Sequence, residues 1–498
     1  MSPRDAAPLD PAELRRLFFR VFPAVGLAMF GAALDQTIVA AALPAIARSL
    51  GEVERISWVV VVYLVATTVA APVYGRLGDA FGRRRMMLVA LGMYGLGAAL
   101  CAVAPSLNLL AAARLVQGFG GGGLISLSVA LIAEVVPPRE RGRFQAWIAA
   151  VFALASGIGP VAGGVLTEFL GWRAVFLLQP PLAVLAAWLA VRRLRGAAPG
   201  ISKGFVFDWL GLALFALFVA PALLALDFAR RLAPGPLAAA AGLALLAAVA
   251  LYLLWRQERA ARDPLLPLVV LGNPSIWRAN LLSALVAGAF VGTIAFLPIY
   301  FAAVRGLSPS ASGVALLPLA VSAAFGAMLT GRLMARTGRT LYWSTFGLGF
   351  SAVMLAAAAL GAGQLPVPAL AGLLGLVSFG FGTCFPMVQV TVQAAAGRER
   401  LGSATASVQF TRALGAATGT ALMGAVLFGT LVAHGGDAAE LFVALVNRGP
   451  EALAALTEAA RAAFRAEMTG AFRAAFLTAA ALVAVAAWMT TRVPLQRI

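Results

Sequence analysis

The chain has 498 residues, of which 61% are hydrophobic and 12% charged, and a mean hydropathy of +0.92. A soluble protein of this length needs more polar surface, so the composition indicates a polytopic membrane protein. The formal net charge of +18 does not indicate a nucleic-acid partner, because Lys and Arg fall in short clusters between apolar runs and form no continuous stripe.

In chain order, Met1–Arg20 carries Asp5, Asp10, Glu13 and several arginines ahead of the first apolar run. It lacks the short apolar core and cleavage site of a secretory signal, so the first helix is expected to be retained and residues 1–21 to form a cytoplasmic N-terminus. A membrane-spanning helix needs about 20 mostly apolar residues. Segments meeting this test lie near 22–47, 56–75, 86–104, 109–135, 144–169 and 174–191, which predicts a six-helix bundle over 22–191. A polar linker, 192–207, leads to two more spans near 208–228 and 237–255. After a second linker, 256–275, six further spans are predicted near 276–302, 311–333, 341–362, 366–393, 404–430 and 472–491. These form a second bundle over 276–491, followed by a cytoplasmic tail at 492–498. The expected fold class is all-α integral membrane with fourteen transmembrane helices. Gly and Pro inside the spans are tolerated where neighbouring helices satisfy the backbone. Lys and Arg concentrate on the side carrying the N-terminus, which predicts that both termini are cytoplasmic.

Residues 71–86 hold several glycines, one acid and four arginines between two apolar runs, a turn that cannot lie in hydrocarbon. Gly331–Arg339 aligns without a gap on Gly75–Arg83, 256 positions later, with Ala335 in place of Asp79. Both turns fall on the same side of the membrane. This supports duplication of one half into two parallel bundles, with the pair 208–255 inserted between them at the periphery. Gly82 is expected to meet the backbone demands of the first turn.

The long outer segment 431–471 places Leu453, Leu456, Ala460, Phe464 and Met468 at helical spacing, with Glu451, Glu458, Arg461 and Arg465 around the rest. It predicts an amphipathic helix that lies on the outer surface or caps the bundle, with a substrate lid as the alternative. His434 in the same loop reads as a solvated surface residue. Cys101 and Cys384 lie inside apolar runs far apart in sequence and support neither a disulfide framework nor a metal site.

Charges inside spans carry the chemistry. Asp35 lies about midway along the first span, where an unpaired carboxylate costs several kcal/mol. Burial and a nearby cation act on a carboxyl group in opposite senses, so a group held between them can take a proton from one side and release it to the other. Arg114 in the fourth span is the natural counter-charge, although by rise alone it sits roughly 9 Å nearer the outer face. A static ion pair that fixes helix packing is the other reading of these two residues. Arg412 has no acid within its own span; contact with a polar or anionic substrate and snorkelling to the interface are both open. Asp227, at the outer end of the first inserted span, reads as a solvated interfacial acid.

Gln36, Tyr63, Gln117, Tyr300, Gln389, Gln393 and Gln409 are polar or amphipathic groups in or near spans, some of which must face the interior. Gln36, Gln117 and Tyr300 are the first candidates for a substrate pocket, with interhelical hydrogen bonding as the rival role. Gly118 and Gly120–Gly123 in the fourth span, with Gly157, Gly159, Gly163 and Gly164 in the fifth, would let these two helices touch closely and slide. Pro160 permits a bend in the fifth span. No strand precedes these glycines and no Gly-Lys-Ser/Thr follows, so a nucleotide loop is not indicated. An intramembrane enzyme would need a constellation such as His-Glu-x-x-His or paired membrane aspartates, and neither occurs.

Four local patterns together resemble the major facilitator superfamily, in particular its fourteen-helix drug:proton antiporter branch, over nearly the whole chain. Gly75-Arg-Leu-Gly-Asp-Ala-Phe-Gly-Arg-Arg-Arg85 is similar to the family's loop signature between helices 2 and 3. Arg114-Leu-Val-Gln-Gly-Phe-Gly-Gly-Gly122 is similar to its helix 4 motif, and Gly159-Pro-Val-Ala-Gly-Gly164 to the helix 5 motif associated with antiporters. Leu34-Asp-Gln-Thr-Ile-Val-Ala-Ala-Ala-Leu-Pro44 resembles the helix 1 pattern of the branch. Two departures, Ala40 where the branch usually has Asn and Ala302 where it often has Gln, imply a more apolar cavity.

The resemblance implies the major facilitator fold, two six-helix bundles plus two inserted helices. It also implies alternating access, in which the bundles rock about a central site. Asp35 and Arg114 are the proton-coupling candidates. Asp79, Arg83 and Glu134 are candidates for a network that latches the outward-facing state, with a topology anchor as the plainer reading. Gly75, Gly82, Gly159, Pro160, Gly163 and Gly164 are the conformational positions, and Gln36, Gln117, Tyr300 and Arg412 the substrate-binding candidates. The expected activity is not enzymatic. It is export of lipophilic drugs or related small molecules across the cytoplasmic membrane, driven by the proton gradient without a cofactor. Export of lipids or fatty acids is the alternative, with uptake by proton symport behind it. The partners expected are a small lipophilic substrate, protons and the lipid bilayer, with no nucleic acid. The chain would act as a monomer or with accessory export proteins.

Overall fold

The structure, a computed structural model, describes residues 10–50, 55–56, 58–194, 205–229, 234–266, 268–307, 309–433, 438–442, 457–495 and 497. Among them are fourteen helices long and apolar enough to cross a bilayer. The first six are α1 (Pro11–Leu50), α2 (Trp58–Phe81), α3 (Arg83–Val103), α4 (Leu107–Val135), α5 (Arg141–Leu170) and α6 (Arg173–Arg193). Next come α7 (Trp209–Ala229) and α8 (Pro234–Ala260). The last six are α9 (Pro274–Ala303), α10 (Pro309–Thr337), α11 (Tyr342–Gly361), α12 (Val367–Ala396), α13 (Leu401–Ala433) and α14 (Glu458–Thr490). Each span read from hydropathy overlaps one of these helices. The chain is a multi-pass membrane protein.

The two ends of the chain differ from expectation. Helix α1 runs for 40 residues, about 60 Å at 1.5 Å per residue, and so extends well past a hydrocarbon core of about 30 Å. Residues 458–468, expected in a separate surface helix, instead form the first turns of the continuous 33-residue α14. Phe464 and Met468 are buried against the second bundle and Ala460 is exposed, so this stretch projects from the bundle as part of a span. His434 and residues 451–456 lie outside the described residues. Helix α6 is broken at Leu178. Pro180 and Pro181 lack the N–H that would continue the first turn, and a new segment starts at Gln179.

Packing repeats between the halves. Helix α1 packs on α4, α5 and α6, α2 on α4, and α3 on α4 and α6. The second half repeats this pattern, with α9 on α12, α13 and α14, α10 on α12, and α11 on α12 and α14. The bundles meet along two seams related by the same duplication, α2 with α13 and α5 with α10. At one seam Gly75 faces Gly402, where a β-carbon on Gly75 would lie 2.7 Å from the Gly402 carbonyl oxygen. At the other, a β-carbon on Gly331, the repeat partner of Gly75, would overlap the Gly142 carbonyl.

The inserted pair is more than peripheral. Helix α7 packs on both α2 and α13, with Phe215 and Phe218 at 5.1 and 6.1 Å from the Phe410 ring. Val69 and Val73 of α2 join the same apolar cluster as these phenylalanines. The loop after α8 is tied to the end of α2 by an Arg76–Asp263 ion pair at 2.7 Å. The side chain of Asp227 lies outside the described residues.

Candidate functional site

Asp35 is fully buried inside the first bundle. Arg114 Nη1 donates to Asp35 Oδ1 at 2.8 Å and to Oδ2 at 2.7 Å. The same Nη1 also donates to Gln117 Oε1 at 2.8 Å, and Nε donates to the Val59 carbonyl at 3.2 Å. Tyr63 lies flat beneath it, with the guanidinium carbon 3.9 Å from the ring centroid. Gln117 and Gln179 also donate to Asp35 Oδ1, at 3.1 and 2.7 Å, and Gln117 donates to Gln179 Oε1 at 2.5 Å. The Cys101 thiol points to Gln117 Oε1 at 3.4 Å. Five helices therefore converge on one carboxylate, and the axial offset between Asp35 and Arg114 is closed by the length of the arginine. Gln179 escapes a search for motif residues. Its one signal is a polar side chain beside the Pro180-Pro181 break in an apolar span.

A second charged cluster sits at the arginine-rich end. Arg83 pairs with Asp79 and with Glu134, each at 2.5 Å. Asp79 also accepts from the backbone N–H groups of Gly402 at 3.0 Å and Ser403 at 3.2 Å, across the boundary between the bundles. These are the first amides of α13, which lack partners within their own helix and carry its positive dipole end. Gly82 has φ +92°, a conformation that only glycine adopts without strain, and it allows the sharp turn from α2 into α3. In the second half Ala335 replaces Asp79, so the equivalent seam at Gly142 and Gly331 has the close glycine contact without the carboxylate.

Between the bundles lies a cavity of about 690 Å³. Its walls come from α1, α2, α4 and α5 and from their counterparts α9, α10, α12 and α13. Met29, Phe152, Phe290 and Phe385 supply apolar surface, and Gln36, Gln145, Gln389 and Gln409 supply amide groups. Arg412 is the only charged residue lining it among the described residues; it donates to Gln409 and its guanidinium carbon lies 5.9 Å from the Phe385 ring centroid.

The cavity collects some of the predicted pocket residues and not others. Gln36, Gln389, Gln409 and Arg412 line it. Gln117 does not, being bound into the Asp35 cluster, and Tyr63 covers Arg114 instead. Gln393 donates to Thr405 at 3.0 Å behind the cavity wall. Tyr300 is fully buried in the second bundle, where its hydroxyl donates to the Ala362 carbonyl and accepts from Arg305 Nε at 3.0 Å. Its ring packs edge-on against Phe472 at 5.2 Å. The expectation that Gln117 and Tyr300 line the pocket is corrected by these positions: both have satisfied partners inside a bundle. Of the two departures, Ala40 is exposed and the side chain of Ala302 lies outside the described residues.

The glycine-rich faces are also placed differently. Those of α4 do not meet those of α5. Gly118, Gly121, Gly122 and Gly123 pack against Tyr63, Thr67 and Tyr74 of α2, and Gly120 packs against Tyr94 of α3. In α5, Gly159 packs on the side chain of Thr37 and Gly163 on the backbone of Ile38. Gly157 and Gly164 face open space and Pro160 is exposed. The motif in α5 is thus fitted to α1, two and three residues beyond Asp35, and Thr37 donates to the Ala155 carbonyl at 3.2 Å. Among the described residues no cluster of His, Cys, Asp and Glu is placed to hold a metal ion.

A sequence profile of the Major Facilitator Superfamily matches residues 25–420, most of the chain. The chain belongs to the Major Facilitator Superfamily. It is 35% identical over 410 residues to an uncharacterized MFS-type transporter of Mycobacterium tuberculosis; the match takes in 82% of this chain and 59% of that longer protein. It is 29% identical over 403 residues to the multidrug transporter protein MdtP of Bacillus subtilis, covering 80% of this chain and 74% of MdtP. The structure superposes on the human organic anion transporter MFSD10 with a TM-score of 0.63 at 18% identity, over 97% of this chain and all of that one. At that identity the likeness shows the fold. Its fold is the major facilitator fold, and the chain spans about three fifths of the length of that mycobacterial relative.

Proposed function

We propose that this transporter exports lipophilic small molecules across the cytoplasmic membrane in exchange for protons, with Asp35 as the proton carrier. The observation that carries the reading is a completely buried carboxylate held by one arginine and two glutamines, beside a cavity between two bundles. A proton on Asp35 cancels its attraction to Arg114 and leaves the guanidinium to Val59 and Gln117. Helix α1 can then shift against α4. Gln36 and Thr37, the next residues along, line the cavity, and Thr37 and Ile38 bear on Gly159 and Gly163. A change at Asp35 is therefore passed to the cavity wall and to α5 within one helical turn. Protonated Asp35 and bound cargo favour opposite-facing states, so each proton that enters drives cargo out.

The distribution of Lys and Arg supports cytoplasmic termini. The Asp79 contacts to α13 then close the cytoplasmic side, and breaking them opens it. Names of similar proteins that include efflux pumps and a multidrug transporter support export. Export of lipids or fatty acids is a second reading, favoured by the aromatic and aliphatic cavity lining. The test is proteoliposomes under an imposed pH difference. Cargo accumulation that stops when the gradient is collapsed, and that Asp35→Asn abolishes, is the expected result. Gradient-independent accumulation, or full activity in the Asn variant, defeats the scheme.

A further inference from the structure

Resting on that export reading, we propose that the cargo is an amphiphilic anion, with a carboxylate or comparable acidic group on Arg412 and an apolar body between the bundles. Arg412 is the only charge on the cavity wall, and no acid pairs with it, among the described residues. Its neighbour Gln409 accepts one of its hydrogen bonds, the guanidinium carbon lies 5.9 Å from the Phe385 ring centroid, and no other protein acceptor for its N–H groups occurs among the described residues. A guanidinium presents a planar fork that matches a carboxylate. In low-dielectric surroundings it gains most from a partner of opposite charge.

The acid that a cationic cargo would need is unavailable to it. Asp35 is fully buried, outside the cavity lining, and already accepts from Arg114, Gln117 and Gln179. A cation entering the cavity would meet only Arg412, a like charge that selects against it. The remaining walls suit the rest of an amphiphile: Phe152, Phe290 and Phe385 for the apolar body, with Gln36 and Gln389 for additional polar atoms.

The test uses three fluorescent probes of one shape, 1-pyrenebutyrate, 1-pyrenebutanol and 1-pyrenebutylamine. Binding to the full chain in lipid nanodiscs is read by tryptophan-to-pyrene energy transfer, with empty nanodiscs as blank. The carboxylate should bind about tenfold more tightly than the amine, the difference expected from one charge-assisted contact. Arg412→Gln should remove that preference and leave binding of the neutral alcohol unchanged. Equal or tighter binding of the amine by the native protein, or a carboxylate preference that survives in Arg412→Gln, overturns the proposal. Should that variant not fold, Arg412→Lys decides: weakened carboxylate binding with unchanged alcohol binding supports the proposal, and unchanged carboxylate binding overturns it. Binding is measured without a gradient, so a protein that takes the carboxylate but is not proton-driven fails only the export scheme. A proton-driven protein that prefers the amine fails only the present proposal.

Discussion

Gly75 of α2 and Gly402 of α13 cross so closely that a β-carbon on Gly75 would stand 2.7 Å from the other's carbonyl oxygen. The duplicated pair Gly331 and Gly142 repeats this crossing on the opposite seam. Because neither backbone can retreat without parting the bundles, Gly402→Ala should cost the closed arrangement about 1–3 kcal/mol. Spin labels at Arg85 and Arg400, both exposed at that end, should report a longer distance in the variant. An unchanged distance distribution would mean that the seam has slack the structure does not show.

Asp79 supplies the polar part of the same closure. Replacing it with Asn keeps the size but removes the charge facing the start of α13, a contribution of about 0.5–2 kcal/mol. Asp79→Asn should shift the population toward the state open at the arginine-rich end. Faster alkylation of a cysteine placed on the cavity wall, by a reagent applied from that side, is the readout. Ala335→Asp in the second half should not produce the opposite shift unless an arginine there can partner the new acid.

The Asp35–Arg114 pair makes a different demand on stability. Arg114→Met leaves a buried carboxylate without its cation and should destabilise the first bundle by about 3–5 kcal/mol if Asp35 stays charged. Asp35→Asn/Arg114→Met should recover part of that loss while remaining inactive in proton-driven transport. Thermal unfolding in detergent of the two single variants and the double variant measures the coupling. Simple additivity would show that the two side chains do not depend on each other.

Phe410 joins α13 to α7 through two ring contacts, and aromatic pairs contribute about 0.5–1.5 kcal/mol each. Phe410→Ala should loosen α7 from the second bundle while its apolar contacts with Val69 and Val73 keep it on α2. Hydrogen exchange in α7 should rise with little change in α3 or α11. Exchange that rises equally everywhere would instead indicate a general loss of packing.

Much of this arrangement was readable from the chain, and the reason is the cost of polarity in lipid. Hydropathy marked fourteen spans, since each had to satisfy a length and a composition. Asp35 and Arg114 stood out because a charge in an apolar run needs a partner, and the Asp79 turn because it cannot be immersed. The pocket residues were harder. Whether a polar side chain such as Tyr300 or Gln117 faces a cavity or a neighbouring helix depends on rotation about the helix axis, which packing with distant segments decides. The α4 glycines showed that something comes close without showing that it is α2 and α3. Gln179 reaches Asp35 only because α6 breaks at Leu178, a local event with a long-range result. The position of α7 across one seam has no periodic signature at all.

That position makes the two flanks of the transporter unlike each other. On the α2–α13 flank, α7 covers the seam, with Phe215 and Phe218 buried against Phe410. On the α5–α10 flank, Leu154, Ile158, Val321 and Phe325 stand exposed, and among the described residues no additional helix covers them. A molecule dissolved in the acyl chains would meet the bundle seam directly from one compass direction and an intervening helix from the other.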